Sequence, residues 1–375
     1  MTERTEQPPA ITSAALPANP AGPNIAAAWY VAMPSARLRR RPQALELFGR
    51  QLVAWRDGGR RPVVMTRWCP HQGASLALGR VAGGTLQCPF HHWRFDGTGS
   101  CVAVPGLQRI PSTARVRSYP TVERYGLIWV WYGTPEPLYD VPDFPPLARD
   151  RGRYAGFRYA DRTAGTIRHL LENAVDHYHF RTLHGLTMHD LSFTVLDDPD
   201  EAAINGAPIG PRSAWFGVRV QARLPRPPIL RHPYIWLTSV VSTFGVGEGF
   251  DLLVDGWPGG QRFTFSVDGE EIYAVLMGVT PTGDRDTTQI GWAGVRRTGR
   301  PVRTAVRLAL FWVQNRAGTR QDVPIYDTTV TDDTAVYVRY DNGVMRFRRW
   351  YQDWVERARA TEGTEGVENG EEERA

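Results

Sequence analysis

The sequence predicts an α+β protein of two domains: a small all-β unit, then helices laid over an antiparallel sheet. Three observations carry this. From Trp29 to Gly133 the chain reads as short strands separated by turn residues. A connector from Thr134 to Leu147, TPEPLYDVPDFPPL, holds five prolines and two aspartates in fourteen residues. Beyond it, helical periodicity recurs between stretches of strand-like alternation. A chain of 375 residues that is 42% hydrophobic and 22% charged has enough apolar material for two cores.

The first domain is expected over 26–133. Leu45–Phe48 and Gln51–Trp55 flank Gly49-Arg50, which reads as a hairpin turn, and Val63–Thr66 and the aromatic run Gly126–Trp131 supply further strands. The second domain is expected over 134–356. Residues 163–185 read as one helix, with Ile167, Leu170, Leu171, Ala174 and Val175 at helical spacing. Phe263, Phe265 and Val267 alternate before an Asp268-Gly269 turn and a return strand over Ile272–Val279. Helices are expected over 302–315 and 345–355. Residues 1–25, rich in Pro, Ala, Thr and Ser, and 357–375, rich in Glu, Gly and Thr, are expected as disordered tails.

All 44 basic residues are arginine, and the net charge is +5. The last fourteen residues hold six acids and one arginine, so the body is more basic than the total. The arginines are scattered, which argues against nucleic acid. Arg37, Arg39, Arg40 and Arg41, and Arg346, Arg348 and Arg349, read first as solvated charge and otherwise as a docking face for an acidic partner. Three cysteines (Cys69, Cys88, Cys101) exclude a disulfide framework. With no secretory signal and no apolar run of membrane length, a cytoplasmic protein with no membrane contact is expected.

Two constellations carry chemistry. Cys69-Pro-His71 and, after sixteen residues, Cys88-Pro-Phe-His91 pair a thiol with an imidazole twice. Two thiolates and two imidazoles suit either tetrahedral zinc or a cluster in which two irons divide the ligands. Second, five of the nine histidines fall between His169 and His189. Two histidines and a carboxylate on one face would leave open positions on Fe(II). A spacing of five residues between His179 and His184 exceeds one turn, so convergence requires a locally loosened helix.

The segment 69–105, CPHQGASLALGRVAGGTLQCPFHHWRFDGTGSCVAVP, resembles the Rieske [2Fe–2S] pattern throughout. Glu172-Asn173-x-x-Asp176-x-x-His179-x4-His184 resembles the iron-binding signature of the Rieske non-heme iron oxygenases. Within that family the strings AAAWYVAM (26–33), CPFHHWRF (88–95) and ERYGLIWVWYG (123–133) are most similar to a branch that oxidises arylamines. Pro70, Gln72 and the stretch Leu191–Pro211 depart from it.

The resemblance implies a Rieske domain joined to a helix-grip-like catalytic domain. It implies Cys69, His71, Cys88 and His91 as [2Fe–2S] ligands, and His179 and His184 as ligands of a mononuclear Fe(II). Arg320–Tyr326 resembles the segment that delivers the third ligand, which assigns it to Asp322 over Asp327, Asp332, Asp333 and Asp341; the family usually has Trp at Tyr326. Asp176 is implied to join His91 of one subunit to His179 of its neighbour in a homotrimer. Ala74 and Phe90 stand where respiratory relatives carry a disulfide, which implies a potential low in the roughly −150 to +300 mV Rieske range.

The implied activity is oxidation of a small aromatic or amine substrate by O2. Electrons would come from NAD(P)H through a separate reductase, with or without a ferredoxin. Desaturation or oxidative cyclisation, and a non-catalytic electron-transfer or zinc protein, are the alternatives. Cys101, His169, His177 and His189 are expected to stay outside the metal sites. Phe180, Leu183, Leu186, Met188 and Phe193 flank the iron segment and are candidate pocket residues.

Overall fold

The computed structural model describes residues 24–283, 286–330 and 336–372. Eleven strands build the N-terminal part: β1 (Ala28–Pro34), β2 (Gln43–Leu47), β3 (Arg50–Arg56), β4 (Pro62–Thr66), β5 (Arg80–Ala82), β6 (Thr85–Gln87), β7 (Arg94–Phe95), β8 (Cys101–Ala103), β9 (Ser118–Tyr119), β10 (Thr121–Arg124) and β11 (Leu127–Tyr132). They form three small antiparallel sheets, β1-β11-β10, β2-β3-β4-β9 and β5-β6-β7-β8. The last of these carries the second Cys-His loop.

The C-terminal part is one seven-stranded antiparallel sheet, ordered β12-β18-β17-β16-β15-β14-β13. Its strands are β12 (Tyr154–Thr163), β13 (His189–Leu196), β14 (Phe216–Arg223), β15 (Gly249–Trp257), β16 (Gly260–Val267), β17 (Glu270–Gly283) and β18 (Asp286–Arg296). Its helices are α1 (Ile167–Asn173), α2 (His179–Thr182), α3 (Pro233–Ser242), α4 (Pro301–Thr328) and α5 (Asn342–Glu372). Phe157 on β12 meets Phe311 on α4 at 6.1 Å, and Tyr273 on β17 stacks on the same ring at 4.2 Å. Helix α4 therefore lies across the strands that end nearest the histidine-rich segment.

The two parts share a core. The indole of Trp257 donates to Trp29 O at 2.8 Å, and the Thr280 hydroxyl donates to Val31 O at 2.9 Å. The β2–β3 turn is Phe48-Gly49 rather than Gly49-Arg50, with φ of 60° and 66°. Two successive positive φ values make the turn match strand twist. Phe48 tolerates its left-handed backbone because its buried ring packs on Tyr132 at 4.6 Å and its N–H donates to Pro281 O at 2.8 Å.

Two further expectations need correction. The single helix expected over 163–185 is two short ones, because β12 runs to Thr163 and the chain turns between α1 and α2. The Asp176 carboxylate causes this by accepting the Tyr178 N–H at 2.9 Å, a local bond that competes with the helix ladder. Residues 357–372, expected as a tail, continue α5 from the buried Trp354, Val355 and Ala358, although Gly363, Gly366 and Gly370 oppose a helix there. Residues 1–23 of the other expected tail lie outside the described residues, and Ile25 is buried in the core.

On the β15–β16 pair, a fully buried Asp255 takes bonds from Asn205 Nδ2 (2.8 Å), Trp215 Nε1 (2.8 Å) and Arg262 Nε (3.0 Å). Removing one partner of a buried ion pair strands the other charge, at about 3–5 kcal/mol. Asp255→Ala should lose about that much in urea denaturation, while the double variant Asp255→Ala/Arg262→Met should recover part of it.

Candidate active site

The first Cys-His loop joins β4 to β5 and the second joins β6 to β7. Both close the same way: Cys69 N–H donates to Ala74 O at 2.9 Å, and Cys88 N–H donates to Trp93 O at 2.8 Å. Each bond spans five residues and holds one cysteine at the loop base with one histidine nearer the tip. Cys69 and Cys88 are buried, and His71 is exposed. The two imidazoles meet edge to face at 4.6 Å, and Trp93 stacks on His71 at 4.5 Å. Thiols thus lie together on the inner side and imidazoles together on the outer side, a division suited to a cluster whose two irons differ in ligands. Burial, with the Cys88 thiol close by, pushes the Cys69 thiol up to about 11. Such thiols release their protons to solvent when a metal binds the sulfur. Cys101 is buried in the same core.

The second centre is assembled by α1, α2 and α4. Thr166 caps α1 by accepting the His169 N–H at 3.4 Å. In the one-turn α2, His184 N–H donates to His179 O at 3.3 Å alongside the Leu183 N–H at 2.8 Å. The i→i+5 bond is the loosening that the His179–His184 spacing requires. Asp322 arrives from α4, and the ligand atoms of His179, His184 and Asp322 lie within 4.8 Å of one another.

Each ring is oriented by its other nitrogen. His179 Nδ1 faces the carbonyl oxygen of Asp176, so it carries the hydrogen. His184 Nδ1 donates to Gln321 Oε1 at 2.7 Å, and its Nε2 sits 3.4 Å from Asp322 Oδ1. Both imidazoles therefore turn an unprotonated Nε2 towards the common point, as metal ligands do, that of His179 also taking a long contact of 3.4 Å from the Asn173 amide nitrogen. Asp322 Oδ1 is buried and accepts no hydrogen bond from the described residues, a costly state for a lone carboxylate. Burial raises its carboxyl above the usual range, partly offset by His184. Burial also lowers His179 to about 4, against the pull of Asp176. Two imidazoles and one carboxylate left short of partners fit Fe(II).

Neighbouring contacts lock this arrangement. Asp327 accepts the Ala164 N–H at 2.7 Å and the Thr163 hydroxyl, so it is a structural tie between α4 and β12. Asp341 caps the turn before α5, accepting the Val338 N–H at 2.7 Å. Asp332 and Asp333 lie outside the described residues. Arg348 is no surface charge: it grips Glu172 through two bonds of 2.6 and 2.7 Å and pins α5 to α1.

Residues 28–120 match the family model of the Rieske [2Fe-2S] domain. The chain is 35% identical over 346 residues to aminopyrrolnitrin oxygenase of Pseudomonas fluorescens, covering 89% of this chain and 92% of that one. The chain belongs to the Rieske oxygenases. It is also 34% identical over 148 residues to the oxygenase component of a 3-ketosteroid-9-alpha-monooxygenase of Rhodococcus rhodochrous, 38% of this chain and 39% of that one. The crystal structure of dicamba monooxygenase bound to dicamba shares the fold, with a TM-score of 0.62 at 20% identity over 89% of this oxygenase and 98% of that chain.

Sequence reasoning reached the three converging residues but missed Gln321, whose only signal is its position beside Asp322. Tyr326, where the family usually has Trp, is buried with its hydroxyl hydrogen-bonded to Asn173. Of the candidate pocket residues, Phe180 lies 4.4 Å from the His179 ring, whereas Phe193 stacks on His177 at 4.5 Å as part of the packing beneath α5. His169 and His177 are buried and join no cluster of three metal-ligating side chains among the described residues, His169 lying 3.9 Å from Glu172, and His189 is exposed.

The lowered His179 sets a pH dependence. Between pH 6.5 and about 4 the unfolded chain binds a proton there that the folded, metal-free chain does not, so stability falls as pH drops through that window. The raised Asp322 acts with the opposite sign near the carboxylate range. Urea denaturation of metal-depleted protein should show a shallower decline for His179→Gln than for wild type between pH 6.5 and 4.5. Equal slopes would refute this assignment.

Proposed function

We propose that this oxygenase acts on an arylamine, oxidising the amine nitrogen or an adjacent ring carbon with O2. The reading is carried by the convergence of His179, His184 and the otherwise unpartnered Asp322, and is supported by the 35% identity to an enzyme named for an amine substrate. Cys69 and Cys88 would hold one iron of the cluster, His71 and His91 the other, and His179, His184 and Asp322 the Fe(II). These metals, when bound, would supply stored electrons and O2 activation. The electrons would come from NAD(P)H through a separate reductase, with or without a ferredoxin, in the cytoplasm.

The chain's own residues position the reaction. The Asp176 carbonyl keeps the proton on His179 Nδ1, and Gln321 does the same for His184. The Asp176 carboxylate is part-exposed, 3.9 Å from the His179 ring. In a homotrimer it would also reach His91 of the partner subunit and complete an electron path between subunits. Phe180 and Phe250, 6.4 Å apart, form an apolar wall beside the histidines suited to an aromatic ring.

Three irons per chain are expected, two in the cluster and one mononuclear; zinc, or two irons only, would overturn the enzyme reading. Asp176→Asn should keep both centres by EPR and iron analysis yet lose about 100-fold in turnover. Full activity in that variant would remove the bridging role. Mass spectrometry after single turnover of the reduced protein with an aniline should show hydroxylamine or nitroso products, or a ring hydroxyl. Unchanged amine with full iron occupancy would count against the arylamine assignment.

A further inference from the structure

Gln314, Gly318 and Gln321 stand at i, i+4 and i+7 on α4 and so share one face of the helix. At one end of that face Gln321 holds His184. Gly318 sits one turn away, and a Cβ built there would touch only His184 Cε1, at 4.0 Å. Glycine is a poor choice in the middle of a 28-residue helix, and no contact that close forbids a side chain. Its consequence is open space beside the histidine. A further turn along, Gln314 Oε1 is buried, and no donor among the described residues bonds it. Buried amide oxygens are nearly always paired, so one left bare marks a place where a partner belongs. The apolar surroundings are aromatic: Phe311, in the preceding turn, is stacked on Tyr273 and edged by Phe244 at 6.5 Å.

We propose that Gln314 is a specificity-determining residue whose Oε1 accepts a hydrogen bond from an O–H or N–H at the far end of the substrate. The oxidised end lies at His179, His184 and Asp322, and the substrate frame passes the gap left by Gly318. Gln314 and Asp322 are separated by about 12 Å of helix, at 1.5 Å per residue. That span fits a substrate of two linked rings with a donor on the ring remote from the amine, and is too long for a single ring. An acceptor with no donor beside it discriminates sharply, because a substrate lacking the distal donor leaves it unpaired. The inference rests on the arylamine reading for the amine end only; the distal subsite is testable without it.

Four compounds separate the two claims: 4-amino-4'-hydroxybiphenyl, 4-aminobiphenyl, 4-hydroxybiphenyl and biphenyl. Binding to the iron-loaded, reduced oxygenase under anaerobic conditions is measured by equilibrium dialysis. Each hydroxylated compound should bind about tenfold tighter than its parent. In Gln314→Leu that advantage should vanish, with iron content and the cluster EPR signal unchanged; Gln314→Met serves if the leucine variant does not fold. An advantage that survives in the variant, no advantage in wild type, or no binding of any of the four overturns the proposal. Tighter binding of the hydroxylated pair, with neither amine oxidised once O2 is admitted to the reduced complexes, would refute the arylamine reading and leave the role of Gln314 intact.

Discussion

The arrangement depends on where α4 lays its last two turns. Gln321 reaches His184 across 137 residues of intervening chain, and Asp322 completes the same point. Closing so long a loop is entropically unfavourable, and it is met by contacts that have nothing to do with a metal. Phe311 wedges between Phe157 and Tyr273, Tyr326 reaches Asn173, and Asp327 ties to the turn after β12. Each acts on α4 from the sheet or from α1, so the helix arrives in register before any ligand is needed. The carboxylate that results is buried and short of hydrogen bonds, which only a cation at the common point would satisfy.

The histidine side of the site is built by the opposite strategy. Instead of a long rigid helix, the chain uses two short ones joined by a turn that Asp176 enforces, and a final i→i+5 bond that swings His184 towards His179. Burial keeps His179 neutral down to about pH 4, so that ring requires no deprotonation to bind a metal near neutrality. Asp176 thus serves twice within one residue: its carbonyl fixes the His179 tautomer, and its carboxylate stays part-exposed at the surface.

Much of this was legible in the sequence, and the reasons differ by residue. Cys69, His71, Cys88 and His91 announce themselves because rare ligands recur in a matched pattern within one small sheet system. His179 and His184 stood out through resemblance to a family signature, with the loosened turn that a five-residue interval demands. Asp322 was reachable only through family resemblance, since several other acids follow it within twenty residues. Gln321 and Gln314 carried no signal: an amide on a helix is ordinary until a partner, or the lack of one, is seen. The helix break after α1 was missed because Asp176 capping the Tyr178 N–H is a local competition that periodicity does not register. The turn at Phe48-Gly49 was misplaced by one residue because a phenylalanine at positive φ is tolerated only through its tertiary contacts.

The central claim is that α4 supplies the carboxylate that turns two oriented histidines into an iron site. Mössbauer spectroscopy of protein grown on iron-57 tests it directly, comparing wild type with Asp322→Ala. The account predicts cluster and high-spin ferrous signals in a two-to-one ratio for wild type, and the cluster signal alone, undiminished, in the variant. A ferrous signal of unchanged intensity in Asp322→Ala would contradict it.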